Sequence, residues 1–312
     1  KTIEKGFEVF SNRTGVKSSG ITMAGAGQCA LVAPVSVSAL NSNDEKPQGI
    51  EFSTDGTRMF TTGNKESVDN GVLYYQLDGP FCIKSATFVS ELTVESRDNT
   101  PTGVSFNLAG TKMYVTGKGS DVILQYNLSK QFDPASGTLA YTLSTTAVSV
   151  HADASVTNAP EDIHFNPTGT EMFIVGSQAD QVHQYSFLGN PYTLANATHT
   201  HTLSIASEET SPAGIHLNPT GTKMFIVGNG HNEVNEYTLS TPFVLSSATH
   251  TQAFSISGQE NNARGIAFDP TGKKMFIIGF TGDDVNVYEL STPFVISSAT
   301  FIDGTCPECA AE

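Results

Sequence analysis

The sequence predicts an all-β chain folded as a single β-propeller of about five four-stranded blades, with six as the alternative count. Three observations carry that prediction. A frame of the form Gly-Ile-x-Phe-Asn-Pro-Thr-Gly-x-x-Met-Phe-Ile-Val-Gly recurs around Met59, Met113, Met172, Met224 and Met275. Those are five of the six methionines, at spacings of 54, 59, 52 and 51 residues, which chance does not produce. No stretch shows a helical period, and each unit divides into four short apolar runs separated by turn residues.

The elements follow in order from the best-preserved units, Gly214–Gly228 and Gly265–Gly279. Ile215 and Leu217 alternate with other residues, as the first strand of a blade requires. Asn218-Pro219-Thr220-Gly221 is a tight turn, with Pro fixing φ and Gly free to take φ > 0. Met224-Phe225-Ile226-Val227 is a continuous apolar run, expected of a second strand buried on both faces. Val-x-x-Tyr-x-Leu gives the third strand, at Val234–Leu239 and Val285–Leu290. Ser-Thr-Pro-Phe-x-Ile/Leu-Ser-Ser-Ala-Thr follows, best kept at Ser240–Thr249 and Ser291–Thr300, with Phe132 and Tyr192 at the Phe position of the second and third units. A final segment such as Phe254-Ser255-Ile256 is expected to supply the fourth strand.

Ring closure is expected from spacing. Val94, Ile205 and Ile256 each precede the next inner-strand glycine by nine residues, at Gly103, Gly214 and Gly265. Leu40 precedes Gly49 by the same nine, although no full unit stands before it. Residues 32–40 are therefore expected to form the closing strand of the last blade, where Cys306-Pro307-Glu308-Cys309 replaces a fourth strand. Closure of this kind hides sheet edges. The domain division that results is an N-terminal extension at 1–31, a propeller at 32–303 and a Cys-containing tail at 304–312. The extension is expected to cap the propeller or to reach a neighbouring protein as an added strand.

The frame resembles the YVTN-like propeller repeats, whose pattern is P-x-G-[IV]-x-F-x-P-x-G-x-x-[ML]-[FY]-[VI]. The resemblance covers residues 47–300 and implies a structural unit rather than an activity. Here the second strand ends in Gly, as at Gly176 and Gly228, where that family often has Asn. The units are also similar to repeats in marine bacterial and phage proteins.

Charged residues are only 15% of the chain, against about a quarter in ordinary domains. The net charge of −15 leaves little to neutralise phosphates, which argues against nucleic acid as partner. No apolar run reaches the length of a membrane span. The start at Lys1 rather than Met is compatible with a removed leader or with a trimmed chain.

Candidate chemistry is sparse. Cys306 and Cys309 form a lone C-x-x-C, with Cys29 and Cys82 far off in sequence. Zinc sites want paired spacings, so these four cysteines are disulfide candidates, with three possible pairings. His164 and His216 occupy the same slot on the first strands of neighbouring blades, where Glu51, Ser105 and Ala267 stand elsewhere. A metal or catalytic site built on Glu51, His164 and His216 is conceivable, but five-fold placement is expected to spread them around a ring. Asp121, Asp283 and Asp284 give the loops after the second strands an acidic bias that suits calcium, though without an EF-hand pattern. No G-x-S-x-G, P-loop or H-E-x-x-H motif occurs, so no catalytic residue is assigned. The first strands read as regular, whereas a propeller enzyme breaks its repeat at the active site.

These features together predict a non-enzymatic structural or adhesive propeller. It would be extracellular, as a subunit of a surface layer, a filament or a virion, and would associate with itself or a protein partner through the N-terminal arm. The alternatives are a lectin-like propeller that binds glycans and a propeller hydrolase of lactonase or glycosidase type.

Overall fold

The computed structural model describes residues 46–63, 70–145, 159–302. These fold as five antiparallel sheets of four strands, each contiguous in sequence. The first blade is β1 (Pro47–Phe52), β2 (Arg58–Gly63), β3 (Gly71–Gln76) and β4 (Thr87–Thr93). The second is β5 (Pro101–Phe106), β6 (Lys112–Gly117), β7 (Val122–Leu128) and β8 (Gly137–Ser144). The third is β9 (Pro160–Phe165), β10 (Glu171–Gly176), β11 (Gln181–Phe187) and β12 (Ala197–Ser204). The fourth is β13 (Pro212–Leu217), β14 (Lys223–Gly228), β15 (Glu233–Leu239) and β16 (Ala248–Ser255). The fifth is β17 (Ala263–Phe268), β18 (Lys274–Gly279), β19 (Asp284–Leu290) and β20 (Ala299–Ile302). None of the helices among these residues is long and apolar enough to cross a membrane.

The repeated methionine is explained by register. Met224 pairs with Leu217 on one side and Tyr237 on the other, and Met275 pairs in the same way with Phe268 and Tyr288. All five methionines of the frame are fully buried. Each such burial contributes roughly 1.5–3 kcal/mol from area removed from water. The cores lie between blades rather than within them, and there are five. One of these joins Phe276 and Ile278 of the last blade to Ile50, Phe52 and Met59 of the first. The ring therefore closes on five blades, which removes the six-blade alternative.

The two halves of the repeat meet at a clasp. Phe243 sits in the left-handed region (φ 57°) and donates its N–H to the Gly221 carbonyl at 2.9 Å. Its ring lies against Gly221, itself at φ 68°, where any Cβ would overlap the ring. The same bond joins Phe81 to Gly56, Phe132 to Gly110, Tyr192 to Gly169 and Phe294 to Gly272. The aromatic residue and the turn glycine thus recur because each occupies the space the other leaves.

One sequence expectation changes. The fourth strands begin at the Ala-Thr pair and run through to Ser255 in the fourth blade, so Phe254-Ser255-Ile256 is only their end. In the last blade the fourth strand is Ala299–Ile302, supplied by the C-terminal side of the repeat before the cysteine pair. The closing segment 32–40, the extension 1–31 and the tail 304–312 lie outside the described residues.

Candidate active site

The inner strands β1, β5, β9, β13 and β17 stand side by side around the axis, and their packing is set by a column of glycines. A Cβ on Gly49 would lie 2.9 Å from the Gly103 α-carbon, and one on Gly214 would lie 2.9 Å from the Gly265 α-carbon. A Cβ on Gly265 would sit 3.0 Å from the Gln48 carbonyl oxygen, across the closure. Side chains at this level would push the five strands apart, since real Cβ atoms are not found so close. The third blade has Asp162 at this position. Its Oδ1 accepts the Ile163 N–H at 2.8 Å, and its Oδ2 accepts the N–H of Ile215 on the next blade at 3.0 Å. Burial holds this carboxyl well above the usual range, and the charges of Glu51 and Glu161 push the same way, against the two backbone donors. The inner strands are therefore not regular: the repeat breaks at Asp162, a break visible in the sequence once the glycines are aligned.

Two residues further along each inner strand lies the slot holding Glu51, Ser105, His164, His216 and Ala267. The slot residues Glu51, Ser105, His164 and His216 line one cavity of about 370 Å³ at the ends of the inner strands. His164 and His216, on neighbouring strands, come together, while Glu51 stands on the first blade's strand at the same cavity. The His164 and His216 rings have their centroids 4.7 Å apart, and His216 lies 5.2 Å from Phe268. The Glu51 Oε1 accepts the Phe52 N–H at 3.0 Å, and the Ser105 hydroxyl also bonds this carboxyl. Burial pushes Glu51 up to about 7, outweighing both hydrogen bonds. Burial pushes His164 down to about 4 and His216 well below its usual range, the latter aided by His164. At neutral pH the cavity thus holds a half-ionised carboxyl and two uncharged imidazoles, a set suited to moving a proton and donating neutral hydrogen bonds.

The opposite ends of the inner strands carry charge that serves the scaffold. Glu161 is buried, pairs with Lys118 and accepts the Ser177 hydroxyl. Arg264 lies over the Phe280 ring at 4.4 Å. Asp98, Glu209 and Glu260 are buried carboxylates, each four residues past Val94, Ile205 and Ile256. They accept backbone N–H groups of the facing loops: Ser120 to Asp98 (2.6 Å), Gly230 to Glu209 (2.9 Å) and Thr281 to Glu260 (3.1 Å). Sequence reasoning missed these three, although their constant offset marks them.

The loop carboxylates do not gather. Asp121 (φ 52°) and Asp283 (φ 47°) occupy the same left-handed turn position in different blades, as Asp180 and Asn232 do in two others. Asp and Asn tolerate that conformation better than most residues, which accounts for the acidic bias. Asp284 accepts the Asn286 side-chain amide at 2.8 Å. Among the described residues no group of three or more His, Cys, Asp or Glu side chains is placed to hold a metal ion. Cys82 is disulfide-bonded, and Cys29, Cys306 and Cys309 lie outside the described residues.

Comparison with known proteins corrects the functional expectation. The family described as "Lactonase, 7-bladed beta-propeller" matches residues 95–293, a span that contains Ser105, His164 and His216, with Glu51 preceding it. Solved structures similar to the chain include a protein from Lactobacillus plantarum, with 15% identity, TM-score 0.51 and 82% of this chain on 83% of that one. A Bacteroides fragilis protein described as a 6-phosphogluconolactonase has 11% identity, TM-score 0.52 and the same coverages, 82% and 83%. A periplasmic gluconolactonase of Pseudomonas aeruginosa has 14% identity and TM-score 0.49 over 82% of this chain and 69% of that one. At such identities the first two show the shared fold alone. No curated protein matches the chain.

The matching family is thus the lactonase one and not the YVTN-like repeats. That finding overturns the non-enzymatic structural or adhesive reading and, with it, the self-assembly and the extracellular, cell-surface or virion expectations. With well over half of its 312 residues matched, the chain belongs to the lactonase β-propeller family, on five described blades where the family is described by seven.

Proposed function

We propose that the protein hydrolyses lactones in the cavity formed by Glu51, Ser105, His164 and His216. The observation that carries the reading is Glu51, a carboxyl group pushed up to about 7 by burial, in the same cavity as two uncharged imidazoles. Family membership supports the same chemistry.

In the reaction, ionised Glu51 takes a proton from water as the water oxygen attacks the lactone carbonyl carbon. A carboxyl group near the working pH is matched to that task, since it is basic enough to accept the proton and acidic enough to return it. Negative charge then develops on the carbonyl oxygen. Neutral His164 and His216 supply N–H donors to it, as uncharged imidazoles do in other oxyanion sites. Collapse of the tetrahedral intermediate breaks the ring C–O bond, and the proton on Glu51 passes to the departing alkoxide. The product is one hydroxy acid, and Glu51 is ionised again.

The test is titrimetric hydrolysis of δ-valerolactone by the wild type and by Glu51→Gln, corrected for the spontaneous rate. The variant keeps the size of the side chain and loses the base, so kcat should fall about 10²–10⁴-fold. A wild type no faster than buffer, or a variant as fast as the wild type, would overturn the reading.

A further inference from the structure

Resting on that hydrolase reading, we infer that the cavity takes uncharged lactones bearing an apolar substituent and turns away phosphorylated sugar lactones. The juxtaposition behind this is a proton-transfer carboxyl inside an aromatic collar whose described residues include no Lys or Arg. Among the described residues lining the cavity none is Lys or Arg, and the charged ones are Glu51 and Asp269, both carboxylic. Phe52, Phe106, Phe165 and Phe268 come from the inner strands, and the clasp residues Phe132 and Tyr192 close the rim.

Three basic residues at this end of the blades, Lys112, Lys223 and Arg58, are committed elsewhere. Lys112 Nζ donates to the Tyr192 carbonyl at 2.9 Å and to Thr193 Oγ1 at 3.2 Å. Lys223 Nζ donates to the Phe294 carbonyl at 2.7 Å and pairs with Glu236 at 2.7 Å. The Arg58 guanidinium lies over the Phe132 ring, 5.7 Å from its centroid, and donates to the Gln131 carbonyl. At the rim, the N–H groups of the clasp residues Phe81, Phe132 and Tyr192 are spent on Gly56, Gly110 and Gly169.

A phosphate dianion needs cations or several N–H donors to replace its water. Here it would lose that water among phenyl rings and face two carboxylic groups, on a chain of net charge −15. A neutral lactone with an alkyl chain meets none of these costs, and its chain gains apolar contact. The volume of about 370 Å³ falls in the range of small-molecule pockets.

The experiment has two arms. In the first, kcat/KM is measured for δ-octalactone and for 6-phospho-δ-gluconolactone. In the second, calorimetry measures binding of an alkyl δ-lactam, which cannot be hydrolysed, and of 6-phosphogluconate. The expected result is a preference of at least 100-fold for the alkyl lactone, with binding of the lactam and none of 6-phosphogluconate at millimolar concentration. Equal or better turnover of the phosphorylated lactone overturns the inference and leaves the hydrolase reading standing. Lactam binding without turnover of any lactone supports the inference and sinks the hydrolase reading. Failure of the lactam to bind overturns the inference.

Discussion

The Asp162 carboxylate of the third blade accepts the Ile215 N–H of the fourth at 3.0 Å, at the level where four other blades have glycine. At that level blades one and two are joined differently, with Thr62 Oγ1 donating to the Thr102 carbonyl at 2.6 Å. A side chain therefore does between blades three and four what threonine does between one and two. Replacing Asp162 with Ala leaves the buried N–H groups of Ile163 and Ile215 without their acceptor, at a cost of about 1–3 kcal/mol each. Asp162→Asn keeps an acceptor oxygen and should cost less. Thermal unfolding of both variants checks this, and equal midpoints for wild type and Asp162→Ala would remove the role.

The clasp between Gly221 and Phe243 gives a second prediction. Gly221→Ala places a Cβ in the ring and at a left-handed φ, so it should destabilise by about 1–3 kcal/mol. Phe243→Ala removes the ring and with it the overlap. The double variant should be more stable than the sum of the single losses implies, by about 0.5–3 kcal/mol. Urea unfolding of all four proteins measures this coupling, and strict additivity would show that the two motifs are independent.

Stability should respond to pH in two opposed windows. His183 is buried and His164 and His216 are half-buried, and all three have pKa values lowered from 6.5, His164 and His183 to about 4. Their contribution is complete above 6.5 and is lost as pH falls from there toward 4, because the unfolded chain takes up protons first. Glu51, raised from 4.5 to about 7, acts in the other direction: its contribution is complete below 4.5 and is lost as pH rises through 7. Melting temperatures from pH 4 to 9 should therefore show Glu51→Gln gaining on the wild type as pH rises from 4.5 to 7 and keeping that gain above 7. His183→Gln, outside the cavity, should flatten the acid limb. A Glu51→Gln curve parallel to the wild type across pH 4.5–8 would contradict the burial of that charge.

Much of the fold was legible because a propeller blade cannot hide its period: Met224 and Met275 recur where the neighbouring strands need one flexible buried side chain. The clasp was not legible, since nothing along the chain says that Phe243 returns to Gly221 rather than to the core. Glu51, His164 and His216 could be placed in one slot, but their meeting in one cavity depends on how tightly five inner strands pack. That tightness is recorded in Gly49, Gly103, Gly214 and Gly265, and Asp162 is the exception that aligning them exposes. The neutrality of the imidazoles has no sequence signature, because it follows chiefly from burial, with His164 adding to the shift of His216.

The pH dependence of kcat/KM for δ-valerolactone hydrolysis tests the central claim most directly. With Glu51 as the base and both imidazoles uncharged, the rate should rise tenfold per pH unit below 7 and level off above it. Glu51→Gln should abolish that inflection along with most of the activity. A profile flat from pH 5 to 9, or an unchanged inflection in Glu51→Gln, would contradict the assignment.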